Sequence, residues 1–194
     1  MSQNWQQPPQ QPGGYGYPQQ PQQPGYGQPQ APYGGGFPPP PPPAPQGNAG
    51  MALLAGLAVA VVGMFAYGFL MSAMTDTDEI PVEVTQFSYA GIAVSALIGL
   101  VIGKLGGRNS GLWVVGAIFA AAAVFFGELW GYACIQADLA EGTPGAPGAF
   151  EIFTDYFSDN FETWKKNVEG LTYVFIALAP VAAFGTAYRV ANSR

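Results

Sequence analysis

From Met51 to Met74 the chain runs 24 residues without a charged side chain. Three more such stretches follow. Phe87 to Leu105 carries one charge, Lys104, at its end; Leu112 to Ala137 carries one, Glu128; Leu171 to Tyr188 carries none. A hydrocarbon core of about 30 Å needs roughly 20 helical residues to cross it. In lipid the backbone must satisfy its own hydrogen bonds, which a helix does within one segment. The sequence therefore predicts an all-α membrane protein, a four-transmembrane-helix bundle with spans at about 51–74, 87–105, 112–137 and 171–188.

The charged residues agree. They make up 9 % of the chain, against about 25 % in soluble domains. Twelve acids outweigh six bases, giving a net charge of −6. Nucleic acid, which requires a basic footprint, is not expected as a partner; the lipid bilayer is. The chain has no histidine and one cysteine, Cys134. A histidine-based triad, a histidine metal site, a cysteine-pair zinc site and an intrachain disulfide are excluded. No metal or cofactor is expected. No paired acid and base groups suggest an enzyme.

Residues 1–49 contain no Lys, Arg, Asp or Glu and are built mainly from Pro, Gln, Gly and Tyr. With almost no aliphatic side chains to bury, such a segment cannot offset its ordering entropy. It reads as a disordered N-terminal tail ahead of a bundle at 50–194. Pro38 to Pro43 should form a short polyproline II rod. The tail lacks a basic start and an early apolar core, so it is not expected to be a signal peptide. Tyr15, Tyr17, Tyr26 and Tyr33, spaced among Gly, Gln and Pro, suit weak multivalent contacts with protein partners.

The connections alternate in charge. The first holds Asp76, Asp78, Glu79 and Glu83; the second holds Lys104 and Arg108; the C-terminus holds Arg189 and Arg194. Basic connections stay on the cytoplasmic side. A plasma-membrane protein with both termini cytoplasmic follows, with Lys165 and Lys166 in the acidic third connection as the discordant pair. The Asp76–Glu79 cluster lacks the spacing of a calcium loop and reads as a solvated turn.

The third connection opens on a Gly- and Pro-rich turn at 142–148. Phe150, Phe153, Phe157, Phe161 and Trp164 follow at spacings of 3, 4, 4 and 3. At helical pitch these fall within an arc of roughly 80°. Asp155, Asp159, Glu162 and Lys166 project opposite. One amphipathic extracytoplasmic helix is expected at about 150–166. It would lie on the membrane surface or fold over the ends of the spans.

Within the spans, Gly91, Ser95, Gly99 and Gly103 recur every fourth residue. Small residues at that spacing let helix backbones approach closely. They suit packing inside one bundle, or a homo-oligomer formed through the second span. Ala52, Gly56 and Ala60 echo the pattern in the first span, as do Ala123, Gly127 and Gly131 in the third. Glu128 is the one acid inside a span. An intramembrane carboxylate is a candidate polar site. It could reach interfacial water or a nearby hydroxyl beside Trp130 and Tyr132, or serve as a proton or cation site. Ser95, Thr172 and Tyr173 are the other candidate pore-lining groups. Pro180 should kink the fourth span. Cys134 reads as a small buried apolar residue.

The stretch Gly91 to Lys104, followed by Gly106-Gly107-Arg108 and Gly111, together with the tail, resembles uncharacterised small four-span membrane proteins of high-GC Gram-positive bacteria with a Pro/Gln/Gly/Tyr-rich tail. The resemblance implies a four-span bundle and brings no catalytic residues. These readings favour a non-enzymatic component that organises or binds proteins. The alternative is a small transporter or channel subunit using Glu128.

Overall fold

The computed structural model describes residues 47–78, 82–85 and 87–193. The expectations for the tail and its proline rod lie outside these residues. Six helices follow one another: α1 (Ala49–Met74), α2 (Ser88–Gly106), α3 (Ser110–Leu139), α4 (Ala149–Thr154), α5 (Phe157–Asn167) and α6 (Gly170–Asn192). There is no strand among the described residues. α1, α2, α3 and α6 are long and apolar enough to cross a membrane. The protein is a four-span membrane bundle.

Local chemistry sets the helix ends. The Asn48 side chain accepts from the Met51 N–H and caps α1 at 2.9 Å. The α2–α3 turn closes on Gly107, whose φ of 61° favours glycine. Asn109 then caps α3 by accepting from the Gly111 N–H at 3.0 Å. The Trp113 indole donates to the Gly107 carbonyl at 3.0 Å and anchors the turn to the bundle. α6 continues as one helix through Pro180.

Small residues decide how the spans pair. Gly127 lies on Met64, and Gly131 on Gly68, each 63 positions apart. A constant difference means that α1 and α3 run parallel. Gly99 lies on Ala183, and Gly103 on Ala187, each 84 apart, so α2 and α6 are parallel too. α1 and α2 instead pair Gly56 with Ile102 and Gly63 with Val94, in opposite directions. The contacts at the seams involve backbone: a Cβ on Gly68 would fall 2.6 Å from the Gly127 carbonyl oxygen, and one on Gly99 2.1 Å from that of Ala183. Lipid tails are as apolar as leucine, so such close packing, and not the hydrophobic effect, holds spans together.

The face expected on the second span is thus divided among neighbours. Gly99 and Gly103 meet α6, and Gly91 meets Val124 of α3. Ser95 is fully buried, and its hydroxyl donates to the Gly91 carbonyl of its own helix at 2.8 Å. This face is filled from within the chain. α1, by contrast, leaves Met51, Leu54, Val62 and Phe69 more than half exposed, as lipid contact requires.

The single amphipathic helix expected at 150–166 is a correction: it is two helices. The Thr154 hydroxyl donates to the Phe150 carbonyl at 2.9 Å, with the Asp155 carboxylate equally near. The Tyr156 N–H donates to the Glu151 carbonyl, one residue beyond its helical partner. This slip breaks the continuous helical pitch between α4 and α5. Phe150 is 65 % exposed, while Trp164, within the same predicted arc, is 3 % exposed. Ile152, off that arc, is buried instead. Both helices fold onto the C-terminal part of α3: Phe153 packs edge-on to Trp130, and Phe161 and Trp164 pack on Phe125.

Candidate functional site

Glu128 has no exposed surface. It sits on α3 where the α1–α3 seam is closest, with Gly127 before it. The close approach at Gly68 and Gly127 leaves room for the Tyr67 ring, whose para hydroxyl donates a short hydrogen bond to Glu128 Oε1. Oε2 has no hydrogen-bond partner among the described residues. The Trp164 indole of α5 approaches the same carboxyl. Its Nε1 does not complete a hydrogen bond, and neither does Nε1 of Trp130. Oε2 and the Trp164 indole are therefore buried on the same carboxyl, while the Trp130 indole is a further buried donor on α3. Their surroundings are aromatic: Trp130 packs edge-on with Phe65, Phe69 and Phe153, and Trp164 with Phe125 and Tyr173. Glu128 thus meets a hydroxyl and rings, and no solvent.

α5 is keyed to this region by a second polar group. Asn160 is fully buried. Its Nδ2 donates to the Leu129 carbonyl at 2.9 Å, and its Oδ1 accepts from Gln136 Nε2 at 2.7 Å. Gln136 Nε2 also lies 3.1 Å from the Tyr132 carbonyl. Both ends of the Asn160 amide are satisfied, as a buried amide requires. This fixes the depth of α5 along α3 to one register.

The other candidates are dispersed. Ser95 is bonded within α2. Thr172 is buried at the start of α6, while its neighbour Tyr173 is half exposed. Cys134 is buried on α3. Among the described residues no three metal-ligating side chains converge. Sequence reasoning missed Tyr67, Gln136, Ile152 and Asn160. Asn160 had a usable signal, because it lies only about 20° beyond the edge of the aromatic arc. Tyr67 had none: its role comes from the 63-residue offset between α1 and α3.

Tyr67→Phe is expected to destabilise the protein by about 1–3 kcal/mol, because it leaves both carboxyl oxygens buried without a donor. Glu128→Gln keeps an acceptor for the Tyr67 hydroxyl and is expected to cost less than Glu128→Ala. Denaturant titrations in mixed micelles would rank the three. On the far side of α5, the exposed Glu162 carboxyl is held below the usual carboxylate range. The cause is first its hydrogen bond from Lys165 and then that ammonium's charge. A lowered value contributes stability above the ordinary carboxylate range and loses it as pH falls through the lowered one. Full exposure screens the pair, so Glu162→Gln is expected to leave thermal unfolding unchanged within measurement.

No family model, curated protein or solved structure matches this chain.

Proposed function

We propose that this membrane protein is a non-enzymatic component that organises or binds other proteins. In this reading it sits in the plasma membrane with both termini cytoplasmic, and makes its contacts through the N-terminal tail and the loop end carrying α4 and α5. The supporting observation is that three buried polar side chains, Tyr67, Ser95 and Asn160, bond within the bundle. Tyr67 is bonded to Glu128, Ser95 to its own helix, and Asn160 to α3. Glu128 itself is fully buried beneath the Trp164 indole. The alternating charge of the connections supports the orientation.

The test is crosslinking and affinity capture from native membranes, comparing the full chain with one lacking residues 1–48. The reading expects a defined partner set that shrinks when the tail is removed. An empty capture from both chains would refute it. The second reading, a small transporter or channel subunit, is favoured by the unpartnered Glu128 Oε2. It expects ion flux in liposomes that disappears in Glu128→Gln, and the organising role expects no such flux.

A further inference from the structure

The two ends of the bundle differ sharply in charge. The first and third connections lie at one end, together with the last turn of α3. Among the described residues they carry ten of the eleven acids against Lys165 and Lys166. Among the described residues the other end carries Lys104, Arg108 and Arg189 and no acid. Of the two lysines at the acidic end, Lys165 is already paired with Glu162 at 2.6 Å.

At this acidic end, between the last turn of α3 and the α4–α5 pair, lies a cleft of about 410 Å³. Ligand sites in proteins typically measure about 300–1,000 Å³. Its walls are Leu139, Ile152 and Pro147; its polar groups are Gln136, Asn160, Tyr156 and Asp159. The Gln136–Asn160 amide pair is locked by its own hydrogen bond, so these groups are already ordered before anything binds. Leu139 and Tyr156 are about half exposed. A second cleft of about 350 Å³ adjoins it across Ala140 and Pro147 and carries Asp138 and Glu141. The 142–148 loop between them takes its shape from Gly142 and Gly145, with φ of 83° and 80°.

We propose that the cleft between α3 and the α4–α5 pair is the docking site for an arginine- or lysine-bearing segment of a partner protein. The inference rests on the organising role proposed above and names its surface. One cation enters the first cleft. Its aliphatic stem lies on Leu139 and Ile152, its charged head meets the Asp159 carboxylate, and the Tyr156 ring offers its face to the same cation. A second basic side chain, one step along the segment, reaches Asp138 and Glu141 across the loop. Charge complementarity selects this occupant: the acidic end attracts a basic segment and repels anionic lipid headgroups. A divalent metal suits it less, since no three ligating side chains converge among the described residues.

The test uses the full chain in phosphatidylcholine nanodiscs and a short fluorescent peptide alternating arginine with alanine. Anisotropy should report binding that Asp159→Asn weakens about tenfold, the loss of one charge-assisted hydrogen bond. Glu151→Gln removes the same charge from a neighbouring position outside the cleft and should change affinity less than about twofold. Asp159→Lys should lose the arginine peptide and gain its glutamate counterpart. No binding, or equal loss in Asp159→Asn and Glu151→Gln, would overturn the proposal: the second result would mean a diffuse acidic field. Peptide failure alongside successful native capture sinks this surface alone. Peptide binding alongside empty capture sinks the organising role and leaves the cleft.

Discussion

Gly99→Leu is expected to be among the most destabilising single changes in the bundle, costing about 3 kcal/mol or more. The reason is what the new side chain would meet. A Cβ at position 99 falls 2.1 Å from the Ala183 carbonyl oxygen and 2.9 Å from its Cα. These are backbone atoms of a packed helix and cannot rotate away. α6 would have to retreat along its contact with α2, and the packing at Gly103 and Ala187 would open with it. Gly185 is the internal control. It lies on α6, yet a Cβ there meets nothing within 4 Å. Gly185→Leu should be neutral or mildly stabilising, since leucine favours a helix over glycine by up to about 1 kcal/mol. Denaturant unfolding in mixed micelles should separate the two variants clearly. If both behave alike, α2 and α6 do not meet where described.

Trp164→Ala is expected to release α5 from the bundle. A buried tryptophan cut to alanine typically costs about 3–5 kcal/mol. Here the loss falls on one short helix held at few points. Trp164 fills the space against Phe125, Phe161 and Tyr173 and covers the Glu128 carboxyl. Without it, α5 is left with Asn160 and the Phe161–Phe125 contact. Two readouts follow. Protease should cut faster in the 142–148 loop and near Val168. A water-soluble carbodiimide, excluded from Glu128 in the parent, should now modify it. Phe150→Ala, a deletion from the same predicted aromatic arc, should do neither, because Phe150 already faces outward.

That contrast shows how far the sequence could be read. Charge-free length alone located the four spans, since a helix satisfies its backbone across lipid within one segment. α3 and α6 extend past their predicted ends: the Asn109 cap starts α3 at Ser110, and α6 runs on to Asn192 beyond the apolar core. Period-3.6 reasoning found the aromatic arc but assumed one unbroken helix. Thr154 and Asp155 are residues whose side chains compete for backbone partners, and the helix breaks there, with Phe150 exposed and Ile152 buried. Glu128 stood out as a lone acid. Its partner did not, because Tyr67 lies 61 residues earlier, and only the parallel pairing of α1 and α3 brings it there. The glycine spacing predicted close packing without saying against which helix. Local pattern is legible in one sequence; the offset between distant helices is not.

The small-residue faces of the spans are filled within one chain. Engineered disulfides test this most directly. A Cβ on Gly63 would lie 3.6 Å from that of Val94, and one on Gly116 3.5 Å from that of Ile102, both near the span that a disulfide needs. Cysteine pairs at 63/94 and at 102/116, in a Cys134→Ala background, should be oxidised in native membranes and read on non-reducing gels. The expected result is crosslinking within single chains, seen as faster-running monomer, for both pairs. Crosslinked dimers, or free thiols at both pairs, would contradict the arrangement and return the second span's glycine face to a partner outside the chain.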